Sequence, residues 1–285
     1  MFQRMTYLTI TLGLICTGAQ AQRVPTAPSE RDIYCAGVVT TEPLASDFYV
    51  ISGPGSDIRI GYQQGNFVFL NRGASQGVRV GNQFLVSRPV SERLQIQWFK
   101  WQTSLMRAMG QAYADIGRLR VVAVQPSISI AEIISSCSVM ERGDLVQPFV
   151  ERPAPPYKPA EKFDPFAPSS GKAKAMVVTT SVFGQIAGTG ATVYVNLGSA
   201  QGTKVGDYFR IFRYQGEHDE TVYQTRGTAY RMYGLGATPV AYTWSDLPRD
   251  VLGEGIVVRV APNAATVLVT LSQREIYAGD YVELE

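Results

Sequence analysis

Histidine and cysteine are scarce in this sequence: one histidine, His218, and three cysteines in 285 residues. Cys16 falls in the apolar N-terminal run, and no cysteine or second histidine stands near His218 to complete a zinc site. His218 lies in the polar run "QGEHDE", with no nucleophile and acid spaced around it for triad catalysis. Charge of one sign is missing too. Lys and Arg number 26 against 24 Asp and Glu, a formal +2 without a basic cluster, so electrostatics gives no case for nucleic acid. The glycine turns "GPGS" (Gly53–Ser56) and "GTGA" (Gly188–Ala191) do not open a helix as a phosphate loop does. No catalytic, metal-binding or cofactor-binding residue is assigned, and the expectation is a protein that is not an enzyme.

Long apolar runs are also absent. The stretch "YLTITLGLIC" (Tyr7–Cys16) follows the basic Arg4 and ends before "GAQA". At about ten residues it is well short of the roughly 20 that span a bilayer. A basic start, a short apolar run and alanines at the small-x-small positions 19 and 21 read as a signal peptide, residues 1–21, cleaved after Ala21. The exported chain would carry no transmembrane segment and would lie in the periplasm or at the outer membrane.

What the sequence does contain is itself, twice. "NRGASQGVRVGNQFLVSR" (Asn71–Arg88) and "NLGSAQGTKVGDYFRIFR" (Asn196–Arg213) match at a constant offset of 125 positions. A second block, Asp115–Val146, matches Val251–Val282 without gaps at offset 136. "VVTT" stands at Val38–Thr41 and again at Val177–Thr180, where it reads as the opening of both copies. Between the copies lies "ERPAPPYKPAEKFDPFAPSSGK", residues 151–172, with six prolines. Proline fixes φ and removes a donor, so this stretch reads as an extended linker. The domains expected are therefore 31–150 and 173–285, related by internal duplication.

The recurring residues are those of backbone geometry. "VYVNLG" alternates as a half-buried strand, "YFRIFR" reads as its partner, and glycines between them supply positive φ. Asn71, Gly73, Gly77 and Gly81 in the first copy, and Asn196, Gly198, Gly202, Gly206 and Asp207 in the second, are read as turn residues, with Gly279 and Asp280 in a later turn. Asn82 replaces Asp207 in the first copy, which a turn tolerates. The fold class expected is all-β: two tandem small antiparallel barrels or sandwiches of five to seven short strands, with a possible short helix in the first.

The stretch "VYVNLGSAQGTKVGDYFRIFR", followed by "LGEGIVVRVAPNAATVLVTLSQREIYAGDYVEL", resembles the C-terminal domain of the bacterial flagellar assembly protein T family. The resemblance covers the second unit well and the first more loosely. It implies a small β-barrel-like module of the Gram-negative envelope, used in a periplasmic ring assembly. This chain departs from that family in carrying the module twice, without counterparts of the family's other domains. A general envelope module is what carries over.

Individual function is expected where the copies differ. In the first insert, "ERLQIQWFKWQTSLMRAMGQAYADIG" reads as a helix with Trp98, Trp101, Leu105, Met109 and Ala112 near one stripe. That stripe either covers an open end of the barrel or, with Trp98, Phe99 and Trp101, anchors a partner. The second insert places Tyr223, Arg226, Tyr230, Arg231, Tyr233 and Trp244 beside glycine turns. Such residues pack across a hairpin or contact a glycan or protein. Cys35 and Cys137, the two cysteines outside the signal, are expected to form a disulfide, closing a loop of about 100 residues worth up to about 4–5 kcal/mol. The function expected is a binding or assembly module with envelope proteins as partners. The alternative is peptidoglycan or another glycan, held by the second insert.

Overall fold

A computed structural model describes residues 27–92, 96–158, 163–215 and 248–285. The signal segment and the candidate contacts Tyr223, Arg226, Tyr230, Arg231, Tyr233 and Trp244 lie outside the described residues. The fold is mainly β, as the alternation of short β-branched runs with glycine turns implies.

The first half opens with a short helix α1 (Glu30–Tyr34), capped by Ser29, whose Oγ accepts from the Asp32 N–H while the Asp32 carboxylate accepts from the Ser29 N–H. Strands β1 (Val38–Thr40), β2 (Val50–Ser52), β3 (Gly61–Tyr62), β4 (Phe67–Leu70) and β5 (Gln83–Val90) follow. After helix α2 (Gln102–Met109) come β6 (Gln111–Val124), β7 (Ser129–Ser136), β8 (Met140–Glu141) and β9 (Leu145–Pro148). The main sheet runs β2-β4-β7-β6-β5-β9, all antiparallel, with β1 added on β6. Its two end strands meet at the Tyr49–Leu145 bridge, flanked by Val50 N–H to Asp144 O and Val146 N–H to Phe48 O.

The second half contains β10 (Lys174–Thr180), β11 (Ile186–Ala187), β12 (Thr192–Val195), β13 (Tyr208–Arg213), β14 (Asp250–Ala261), β15 (Ala264–Ser272), β16 (Ile276–Tyr277) and β17 (Tyr281–Leu284). Six of these close an antiparallel barrel in the order β10-β12-β15-β14-β13-β17, the same order as in the first sheet. Each half has one apolar core inside its sheet, around Val68, Leu119 and Ile133 in the first and Val193, Phe209 and Val267 in the second.

The matched sequence positions make the same bonds in both halves. Asn71 Oδ1 accepts from Tyr49 N–H at 2.8 Å, and Asn196 Oδ1 from Met176 N–H at 2.7 Å. Gly73 and Gly198 donate to Gln76 and Gln201 Oε1, each at 2.8 Å, and each turn ends on a left-handed glycine, Gly77 at φ 83° or Gly202 at φ 88°. Asn82 and Asp207 accept from the N–H three residues back, both at 2.8 Å, so amide and carboxylate serve one turn. Gly81, Gly206 and Gly279 also have positive φ. Arg88 grips Asp144 through Nε and Nη2 at 2.6 and 2.8 Å; Arg213 grips Asp280 at 2.7 and 2.8 Å. Both aspartates are buried and also accept a backbone N–H, from Glu141 or Tyr277. Burial pushes the Asp280 carboxyl up from its ordinary value while Arg213 pulls it down.

Two expectations are corrected here. The two "VVTT" stretches are not equivalent, because Val177 takes the place of Val50: each donates to an aspartate carbonyl, Asp280 or Asp144. Val38–Thr40 is instead an extra strand on β6. Cys35 and Cys137 form the expected disulfide. Cys35 caps α1 and Cys137 lies just after β7, with Cα atoms 5.4 Å apart. The long helix of the first insert is only Gln102–Met109. Gly110, at φ 106°, ends it, and Ala112 already belongs to β6, whose pairing with β1, β5 and β7 overrides the helical spacing.

The described part of the Pro-rich stretch has no regular secondary structure, but it lies against the barrel. Val251 N–H donates to Pro165 O at 2.9 Å, and Arg249 Nη2 donates to Pro168 O at 2.6 Å. Ser169 donates its hydroxyl to Glu283, which also takes Arg249 Nη1 at 2.6 Å. Burial works to raise the Glu283 carboxyl, but these bonds outweigh it and hold it at about 2. Its charged form therefore stabilises the fold above the ordinary value of 4.5, and that stability is lost as pH falls from there toward about 2. Urea midpoints of Glu283→Gln should vary less over that acid range than those of the parent chain. Asp280→Ala should cost about 3–5 kcal/mol in the same assay, because it leaves the Arg213 guanidinium without its partner.

Candidate functional site: an interaction surface at the seam

The two sheets do not hang on a flexible tether; elements of the first half cover the outer face of the second. Residues Ala36–Thr40 lead from the disulfide onto β14 and β15. Tyr194 Oη donates to Ala36 O and Thr266 Oγ1 to Gly37 O, each at 3.2 Å. Gly37 has φ +68°, and a Cβ there would stand 2.4 Å from Tyr194 Oη and 2.8 Å from Tyr113 O. Only glycine fits that passage without displacing its neighbours. Burial pushes the Tyr194 hydroxyl up from its ordinary value, and the charge of Asp115 adds to this, so the group is a fixed donor.

Asp115, on β6, is the polar centre. Its buried carboxylate accepts Gly37 N–H at 2.9 Å, Arg152 Nη1 and Nη2 at 3.0 and 3.1 Å, and Arg259 Nη1 at 3.1 and 3.3 Å. Arg152 is itself held by the Ile33 carbonyl, and its N–H donates to Tyr34 Oη. Burial lowers the Arg259 guanidinium, while Asp115 pulls it back up. One carboxylate thus joins the first sheet, the Pro-rich stretch and the barrel. A groove of about 510 Å³ opens beside it, walled by Leu85, Val150, Val205 and Val258 with both arginines.

Helix α2 completes the cover. Gln102 Nε2, buried, donates to Val178 O at 2.8 Å; Asn263 Nδ2 donates to Ala108 O at 3.3 Å. Met109 and Ala112 pack with Val39, Val178, Tyr194 and Ala264, with Leu105 and Phe183 alongside. The stripe seen in sequence therefore covers the outside of the second barrel, not an open end of the first.

The three aromatics ahead of α2 have different fates. Trp98 is half-buried and donates Nε1 to Phe183 O at 3.4 Å. Phe99, expected to face a partner, is fully buried and packs inside the protein, a correction that burial alone decides. Trp101 is 57% exposed, with Lys100 Nζ 4.8 Å from its ring centroid. Trp101 (φ 72°) and Phe183 (φ 57°) are the non-glycine residues with positive φ among those described, and both lie at this seam. Such conformations cost of order 1–3 kcal/mol and persist only where surrounding structure imposes them. Val182 and Ile186, beside Phe183 in the chain, are also exposed.

Among the described residues, no three His, Cys, Asp or Glu side chains gather as a metal cluster. The seam was missed in the sequence. Its visible signal was Asp115 standing where the second copy has Val251, a charge amid an apolar strand. Compared with known proteins, the chain matches no family model and no curated relative.

Asp115→Ala strands two guanidiniums at the seam and should destabilise by about 3–5 kcal/mol. Urea unfolding followed by Trp fluorescence checks this. A change below about 0.5 kcal/mol, the range of surface substitutions, would show that the carboxylate does not hold the seam.

Proposed function

We propose that this protein is a non-enzymatic, exported module of the cell envelope that binds and organises other envelope proteins. The observation that carries the reading is Trp101: a large aromatic, held open to solvent in a left-handed conformation on the segment that locks the two halves together. Trp is the residue type most favoured at interaction hot spots, and a ring already fixed loses little entropy on binding. Val182 and Ile186, exposed apolar residues, flank Phe183, whose carbonyl accepts from Trp98 of the same segment. The disulfide suits an oxidising compartment, and the short apolar N-terminal run suits export there. The resemblance to the flagellar assembly protein T domain and the origin of the two halves by duplication belong to the same proposal. In it, the repeated turns build a scaffold and the insert makes the contact.

The test is photo-cross-linking in the intact envelope from a reactive residue at exposed position 100, beside an intact Trp101, with the same residue at exposed Ile58 as the comparison. Discrete adducts from position 100 are expected. Adding Trp101→Ala should abolish capture of that partner while leaving the urea midpoint within about 0.5 kcal/mol of the parent. Absence of any adduct at position 100, together with pelleting on peptidoglycan sacculi that soluble muropeptides compete away, would replace the protein-partner reading with the glycan one.

A further inference from the structure

The arginines that recur in the two halves show how this protein grips a carboxylate. Arg88 takes Asp144, and Arg213 takes Asp280, with the side-on fork of Nε and Nη2. That fork matches the two oxygens of a carboxylate, which makes bidentate pairs both strong and selective. Arg259 has the same fork and does not use it within the chain. Its contact with Asp115 runs through Nη1 alone, at 3.1 and 3.3 Å, and its Nε and Nη2 donate to no atom among the described residues. Both nitrogens reach solvent, for neither is among the buried polar atoms left without a partner, and the side chain is 23% exposed.

The charge around this fork is unbalanced. Arg152 and Arg259 share the single carboxylate of Asp115, which leaves one positive charge in excess. Burial lowers the Arg259 guanidinium, Asp115 pulls it back up, and the like charge of Arg152 lowers it again, so a second carboxylate there would relieve an unfavourable charge. The surroundings are apolar: the groove of about 510 Å³ that both arginines line also has buried Leu85 and Val258 and exposed Val150 and Val205. Sites for organic ligands have this size and this make-up, apolar walls with a few polar groups that fix orientation. Glu151, also at the groove, is exposed, where solvent and salt screen its charge. One excess positive charge is balanced by a monoanion. A phosphate carries more charge and more oxygens than the fork can take, and valine walls offer those oxygens no donor.

We infer that the seam groove is a binding site for a monocarboxylate carried on an apolar chain, its carboxylate held by the Nε and Nη2 fork of Arg259 and its chain lying along Val150, Val205 and Val258. A fatty acid and the C-terminus of an apolar peptide share that chemistry. The site is separate from Trp101, and its failure would leave the function proposed above untouched.

Proton–nitrogen correlation spectra of the purified protein report arginine Nε–H groups, and titration with octanoate tests the inference. The Arg259 Nε–H signal, assigned by its loss in Arg259→Lys, should move and saturate. Octanamide, which lacks the charge, should bind at least about ten-fold more weakly. Acetyl-trivaline against its carboxamide is the second arm, and the acid that binds more tightly identifies the source. Val205→Asp sets a negative charge on the groove wall without touching the Asp115 bonds, and should weaken octanoate by at least about ten-fold. Val80→Asp, the matched exposed position of the first half and outside the groove, should leave binding unchanged. Arg259→Lys should weaken it too, with the urea midpoint showing whether the seam is intact. No movement of the Arg259 signal with either acid up to about 10 mM overturns the inference. So does equal binding of acid and amide, equal binding of octanoate and inorganic phosphate, or octanoate binding that Val205→Asp and Arg259→Lys leave intact.

Discussion

Asp115 is a buried carboxylate, and a buried carboxylate must be paired or it costs several kcal/mol. It is satisfied only by groups drawn from three parts of the chain: Gly37 ahead of β1, Arg152 at the start of the Pro-rich stretch, and Arg259 on the barrel. That requirement sets the relation of the two halves. The disulfide serves it from the far side. Cys35–Cys137 ties the end of α1 to the end of β7, so Ile33 O and Tyr34 Oη stand where they hold Arg152. The crosslink and the ion cluster form one structural unit, and α2 then closes over Val178 as a lid.

Within each half a different logic operates. The Asn turn, the glycine-ended 3-10 turn and the Arg–Asp grip recur bond for bond, and they satisfy polar groups where strands end. Unpaired polar groups in such places cost as much as a lost hydrogen bond, so both halves keep groups that satisfy them at these positions. The positions that do change are on the outer faces. There Phe67, Phe69 and Ile130 of the first half stand at the positions that Thr192, Tyr194 and Thr266 hold in the second. The core and turns carry the fold, and the outer faces carry what each half touches.

Legibility in the sequence follows the same division. Strand alternation, the turn glycines, the all-β class and the disulfide could be read because each depends on local pattern or on a count. The helix of the first insert was read far too long, since Ala112 through Gly117 fit a helical stripe locally and are strand only because β5 pairs along them, with β1 at Ala112–Tyr113 and β7 from Gly117. "VVTT" misled for a related reason: identical words can occupy different places once an extra strand is inserted. Phe99 looked like its neighbour Trp101, and nothing in the sequence distinguishes the one that turns inward. Asp115 was visible as an oddity, but its partners lie 37 and 144 positions away, a separation that composition and periodicity do not register.

Two halves with the same strand order have thus been put to unequal use. The second barrel is closed by β10 pairing with β17 along three residue pairs, while the first sheet closes by a bridge and a few backbone bonds. The tighter closure belongs to the half whose outer face is also buried, so the barrel is held from inside and outside. The first half supplies β1, α1 and α2 for that cover, while Ile51 and Phe67 of its own outer sheet stay exposed and Phe69 and Ile130 half-buried. Trp101 and Phe183 hold left-handed conformations next to the buried Gln102–Val178 bond, and such conformations persist only where the surrounding structure imposes them. An exposed aromatic on a left-handed backbone is costly as a means of stability alone. It fits a protein whose halves were locked together to present a surface.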